Sequence, residues 1–330
     1  MPAAADTPAR ILLISLSNVG DVLLSLPVVA RLREAYPAAA LDVMVGPRAQ
    51  AIVQEDPRVR QVIIYDRSRG FAERWRLLRR LRRERYDLAV DLRSSLMPWL
   101  IGARRATPWW RQPPRTMRHR RDRHLWTLST VGLLSELRTP HSELFHISRE
   151  AGDKVETWLR EWPLNGRRLI AIAPGARSHI KRWRADGFAA VADRLAAEQG
   201  AAIVFTGEAE ERPVIEEIVS KMQTRPRSVV GQTTLQDLAA LLRRCAALVT
   251  NDSATLHLAG LVGTPTVAIF GPTDPRKYGP RGPRDVVLQR QLDCVPCEKA
   301  LCRYHHECMR FLEPWEVYGA VVRVLHETTT

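Results

Sequence analysis

The residues that could do chemistry each stand just past a short apolar run. Asp21 closes Asn18-Val19-Gly20-Asp21 after the β-rich run Ile11 to Leu16 and Ser17. A carboxylate there can cap the helix that follows, its ordinary use, or it can take a proton in a cleft. Gly20 permits close backbone approach. Lys181, with Arg182 and Trp183, follows a strand and the Pro174-Gly175 turn. It can reach a phosphate or stay solvated. Glu208 follows Phe205-Thr206-Gly207 and is placed to accept bonds from two ribose hydroxyls. Asn251-Asp252-Ser253 ends another run with three helix-capping residues. Asp252 could hold a ribose hydroxyl or orient His257. The free N–H groups at the start of that helix, from Ser253 and Ala254 onward, make an anion site beside the strand ends.

The elements that must position these residues alternate. Apolar runs Ile11 to Leu16, Leu41 to Val45, Val62 to Tyr65 and Leu88 to Val90 read as strands. A helix follows the first, with Pro37 as its stop, and a very basic helix, Phe71 to Arg85, lies between the last two. Glu150 to Trp162 reads as a helix, and Pro163-Leu164-Asn165-Gly166 as a linker. The pattern then restarts with strands at Leu169 to Ala173, Ala202 to Phe205, Ser228 to Val230, Ala246 to Val249 and Thr266 to Phe270. Helices lie between them, and Pro314 to His326 closes the chain. Alternating β and α predicts parallel sheets. Two α/β domains, 1–165 and 166–330, facing one another across a cleft are the simplest architecture, with the last helix free to pack back on the first.

The sequence of 330 residues is long enough for two cores, and its net charge of +14 favours anionic partners. No apolar run is long enough to span a bilayer, and the N-terminus has no signal-peptide pattern. These features, with five cysteines, suggest a reducing cytoplasm. Residues 102–124 crowd arginine, proline and tryptophan, with Arg118, Arg120 and Arg121 near Trp109 and Trp110. That composition suits an anion-binding loop. It also suits nucleic acid, but no nucleic-acid motif accompanies it, so no nucleic-acid partner is expected. Cys294, Cys297, Cys302 and Cys308 are spaced C-x2-C-x4-C-x5-C. Four such thiolates could bind zinc or an iron–sulfur cluster, or form a reduced structural loop. Cys245 reads as a buried helix residue.

Five ordered segments, NVGDVLLSLP, APG with KRW, FTGEAEE, GQTTLQDLAALL and TNDSATLHLAGLVGTPTVAIFGPTDP, resemble glycosyltransferase family 9. These are the lipopolysaccharide core heptosyltransferases, and the likeness runs over nearly the whole chain. The resemblance implies a GT-B fold of two Rossmann-like domains, the first for the acceptor and the second for ADP-heptose. It implies inverting catalysis that needs no metal or other cofactor. By position, Asp21 would be the general base, with Asn18 and Gly20 beside the acceptor. Lys181 would meet donor phosphate, and Glu208 the ribose. Gly231 to Leu235, with Thr233 and Leu235, would line the adenine. Asp252, Ser253, Ala254 and His257 match the family's Asp-Ser-Gly motif and the histidine that follows it; Asp252 would contact the donor sugar, and the N–H groups after it the diphosphate. Ala254 departs from the usual glycine. Ser15 stands where a basic residue is common, and Arg184 where proline often follows the tryptophan.

The resemblance implies a phosphorylated glycolipid acceptor at the inner membrane face, its phosphates held by the 102–124 loop. Two rival functions stand beside transfer: a nucleotide-sugar epimerase of the same fold, and a nucleic-acid-binding protein suggested by charge alone.

Overall fold

Continuous apolar runs become strands buried on both faces, as parallel sheets covered by helices require. A computed structural model describes residues 7–15, 18–66, 68–133 and 144–327; Leu16 and Ser17 of the expected first strand and turn lie outside them. The chain divides into two units, Met1–His146 and Ile147–Thr330. The first holds β1 (Arg10–Ile14), β2 (Ala40–Val45), β3 (Gln61–Ile64), β4 (Leu88–Asp91) and β5 (Arg105–Ala106). The second holds β6 (Leu169–Ala173), β7 (Ala202–Phe205), β8 (Arg227–Ser228), β9 (Ala247–Asn251), β10 (Thr266–Phe270) and β11 (Val286–Gln289).

Every pairing recorded in both sheets is parallel, in the orders β3-β2-β1-β4-β5 and β11-β10-β9-β6-β7-β8. β1 lies between β2 and β4, and β6 between β7 and β9. Each sheet therefore has a topological switch point at its first strand, and open α/β sheets place ligands at the carboxyl edge there. Asn18–Asp21 follow β1, and Pro174–Gly175 follow β6.

Two strands escape the sequence pattern. β5 is two residues long and sits inside the arginine-rich stretch read as a loop. β11 is a half-exposed edge strand among charged residues, so it lacks a fully apolar run. The end of the same basic stretch is also ordered, as helix Arg120–Ser129.

The units part ahead of helix Arg149–Glu161, and that helix packs on helix Leu235–Arg244 of the second unit. Lys154 Nζ donates to Asp237 Oδ2 at 2.6 Å and Arg244 to Glu156 at 2.5 Å, which tie the two helices together. The closing helix, Pro314–His326, has its apolar face taken up by the second core: Val317, Ala320, Val321 and Val324 join Ile170, Val249 and Ile269.

Candidate functional site

The carboxyl edge of the second sheet gathers the donor-side candidates. β6 and β9 are neighbours, so the turns that follow them are held together. Asn251 Nδ2 donates to the Pro174 carbonyl at 2.6 Å, and its Oδ1 accepts from the Trp183 N–H at 3.1 Å. Thr250 Oγ1 donates to the Ala173 carbonyl at 3.0 Å. These buried bonds fix the turn His179–Lys181 against the end of β9. As a result Lys181 Nζ lies 2.6 Å from Asp252 Oδ2. The Asp252 side chain is 7% exposed and that of Lys181 32%, so the ammonium caps a buried carboxylate and keeps part of its surface for solvent or ligand.

The capping triplet behaves differently from expectation. Ser253 is the N-cap of helix Ala254–Val262, yet its side chain makes no capping bond. Asn251 and Asp252 use their side chains to join β9 to the preceding turn instead. The helix ends as the sequence implies, at Gly263 with φ +79. Ala254 begins the helix, and His257 lies half-buried one turn on.

Glu208 is exposed, and its backbone N–H donates to Glu211 Oε2 at 3.0 Å. Glu211 is the residue that sequence reasoning missed. Its carboxylate sits so close to two strand-end glycines that a Cβ on Gly175 would lie 1.8 Å from Oε1, and one on Gly207 2.8 Å from Oε2. Burial raises the Glu211 carboxyl above its usual range. The glycines were the available signal: two side-chain-free strand ends leave a niche, and a carboxylate fills it. Gly231 follows β8 at φ +69 and donates to the Gly207 carbonyl at 2.9 Å. Beyond it, half-buried Thr233 precedes the N-cap Thr234, whose side chain accepts from the Asp237 N–H at 3.1 Å, and Leu235 opens the helix.

In the first unit, Asn18 is the N-cap of the short helix Val19–Leu23 and its side chain makes no capping bond. Asp21 does not cap either. Its Oδ2 accepts from Asn18 Nδ2 at 3.2 Å, its sole recorded hydrogen bond among the described residues. Capping, the ordinary expectation for Asp21, is thus not its role here. The carboxylate is half-buried beside Gly20 at the switch point of the first sheet.

The arginines expected to act together differ in setting. Arg118 is exposed, whereas Arg120 and Arg121 are half-buried in the first turn of helix Arg120–Ser129. Arg121 Nε lies 3.7 Å from Asp122. His124, one turn on, is buried; desolvation, then the charges of Arg120, Arg123 and His119, push it down to about 3.

The four cysteines surround one cavity of about 290 Å³, shared with Ile180, Pro272 and His306. All are free thiols. Cys302 Sγ accepts from the Tyr304 and His306 N–H groups at 3.4 and 3.3 Å. Burial, then the neighbouring thiols, push Cys308 up to about 11. The loop is anchored by Glu298 N–H donating to Pro272 at 2.8 Å, and His306 stacks edge-on against His179 at 5.7 Å. Among the described residues, however, no three His, Cys, Asp or Glu side chains are arranged to hold a metal ion. As they stand, the cysteines do not fit one.

The profile of glycosyltransferase family 9 (heptosyltransferase) matches residues 74–307. The chain belongs to that family. Lipooligosaccharide heptosyltransferase 2 of Haemophilus influenzae is 29% identical to it, over 85% of this chain and 88% of that protein. Lipopolysaccharide heptosyltransferase 2 of Escherichia coli is 29% identical, over 81% and 84%. A solved family 9 glycosyltransferase from Veillonella parvula superposes with TM-score 0.82 at 25% identity, covering 97% of this chain and 98% of that one. The E. coli heptosyltransferase II structure gives 0.76 at 24%, over 96% and 98%, a likeness of fold.

This family 9 protein therefore has the GT-B fold and is a glycosyltransferase. Membership disfavours both rivals, the epimerase and the nucleic-acid-binding protein. Among the described residues no helix is long and apolar enough to cross a membrane.

Proposed function

We propose that this chain moves a heptose from ADP-heptose to the inner core of a lipopolysaccharide acceptor, with inversion at the anomeric carbon. The observation that carries the proposal is the Lys181–Asp252 pair at the second sheet's switch point, beside the start of helix Ala254–Val262. An ammonium next to a helix N-terminus suits a leaving diphosphate, whose charge grows as its bond to the sugar breaks. The names of the relatives, lipopolysaccharide and lipooligosaccharide heptosyltransferases, support the same donor and acceptor.

Each residue then has a role. Asp21 takes the proton from an acceptor hydroxyl as that oxygen bonds to the anomeric carbon, and ADP departs with the electrons of the broken bond. Asn18 orients the Asp21 carboxylate, and Gly20 leaves room for the acceptor. Lys181 and the N–H groups after Ser253 meet the diphosphate. The extra methyl of Ala254 narrows that site. Asp252 contacts the donor sugar, with His257 beside it. Glu208, together with Glu211, takes the ribose hydroxyls, and the segment with Thr233 and Leu235 lines the adenine.

Incubation with ADP-heptose and a phosphorylated inner-core glycolipid should release one ADP for each heptose added, seen by mass spectrometry. Conversion of the nucleotide sugar without acceptor would mean an epimerase instead. No cofactor enters the chemistry, so dialysis against a chelator should leave the rate unchanged. A structural zinc or iron–sulfur group is the finer reading of the cysteine loop. About one zinc, or iron with sulfide, per chain by elemental analysis would support it. Four titratable free thiols in metal-free protein would leave a packing loop.

Arg118, Arg120 and Arg121 hold acceptor phosphates in this reading, because guanidinium pairs with phosphate through two parallel bonds. Charge reversal at the three should raise the acceptor KM and leave the donor KM nearly unchanged. Salt should imitate the effect, since exposed charges are screened over about 10 Å at moderate ionic strength. A joint rise of both KM values in a folded variant would assign the stretch to the donor instead.

A further inference from the structure

The first unit carries an exposed surface that the transfer reaction does not use. Helix Phe71–Glu84 buries Leu81 in the core beside the sheet and packs half-buried Leu77 and Leu78 against it, and the short helix Met97–Leu100 packs on the same core through half-buried Met97. The two helices thus cover one face of the sheet side by side. Phe71, Trp75 and Arg82 are spaced by four and seven residues, so they share one flank of the longer helix. Arg82 Nε donates to the Leu100 carbonyl at 2.6 Å, which sets Met97–Leu100 against that flank.

The apolar side chains in this strip point outward. Phe71 is 75% exposed and Trp99 67%, and Trp75, Leu96 and Leu100 are exposed as well. The Phe71 and Trp75 rings stack at 6.4 Å, and Arg79 lies over the Trp75 ring at 5.5 Å. Isolated surface leucines need no explanation, but large apolar groups massed on one strip do. Along the adjoining flank stand Arg76, Arg80 and Arg83, all exposed and without an ion pair to any described residue.

We infer that this strip docks the protein on an anionic lipid bilayer. Tryptophan and phenylalanine rings settle at the headgroup level, while a row of arginines meets the negative surface potential. A nucleic acid would also attract the arginines and stack on the rings, but the exposed leucines, which offer neither stacking nor hydrogen bonds, favour acyl chains over bases. The inference rests on the first unit's surface and not on the transfer reaction, so either can fail alone.

The test is co-sedimentation of the full chain with phosphatidylcholine vesicles, with and without phosphatidylglycerol, and without substrates. Wild-type protein should bind the anionic vesicles and release from them as salt rises. Phe71→Ser with Trp99→Ser should weaken binding about tenfold or more, and so should Arg76→Glu, Arg80→Glu and Arg83→Glu together. A control with the same charge change on the second unit, Arg167→Glu, Arg225→Glu and Arg243→Glu, should weaken it less. All five strip positions are exposed, so the variants should keep the wild-type melting temperature. Failure of the wild type to bind anionic vesicles, equal loss in the control, or binding untouched by the strip variants would overturn the inference. So would tight binding to single-stranded RNA, lost in the same variants, by a protein that ignores vesicles.

Discussion

Asp21→Asn is expected to lower kcat by about two to four orders of magnitude, the usual contribution of a positioned general base. The side chain keeps its shape, and its oxygen can still accept from Asn18 Nδ2, which lies 3.2 Å from Asp21 Oδ2. What is lost is the capacity to take a proton. The donor site is assigned to the second unit, so the affinity for ADP-heptose should stay within about threefold of wild type, well under 1 kcal/mol. Steady-state kinetics with both substrates varied, together with calorimetry of donor binding, separates the two effects. Because Asp21 makes no backbone cap, the substitution should leave thermal stability nearly unchanged. Near-normal turnover would remove Asp21 from the reaction and leave the proton to another acceptor.

Lys181→Ala should weaken donor binding by about ten- to a hundredfold, the range for losing one charge-assisted bond to a phosphate. Asp252→Ala should weaken it as well, by removing the group aimed at the sugar and freeing Lys181 to swing. The two changes are coupled, since the groups lie 2.6 Å apart. Removing the lysine alone leaves a nearly buried carboxylate unpaired, so part of its effect will be a loss of stability. Donor affinity must therefore be measured on folded protein below the melting transition. The double variant should be more stable than Lys181→Ala while binding donor no better. Unchanged donor affinity in both single variants would remove the site from this edge of the sheet.

The same pair marks the limit of local sequence patterns. Strands such as Ile170 to Ile172 and Val267 to Phe270 are legible because a parallel strand covered on both faces must be apolar throughout, and that demand is local. The short β5 and the edge strand β11 are illegible for the complementary reason: neither is fully enclosed, so neither needs the pattern. The helix stop at Gly263 is likewise local, because a positive φ there favours glycine. The motifs carried the family, and with it the roles expected of Asp21, Lys181 and Asp252.

By itself, then, the sequence determined the two α/β halves, most strands and helices, and the strand ends where charged residues gather. Tertiary structure decided which of those ends meet. Lys181 and Asp252 are 71 residues apart, and they touch because β6 pairs with β9 rather than with a sequence neighbour alone. It also decided that Glu211 enters the niche between Gly175 and Gly207, that Asn251 links two turns instead of capping a helix, and that Phe71 and Trp99 are left exposed. None of these follows from spacing along the chain. Each depends on the order of strands in a sheet, which is set by how whole apolar faces are buried together and not by the residues that later touch.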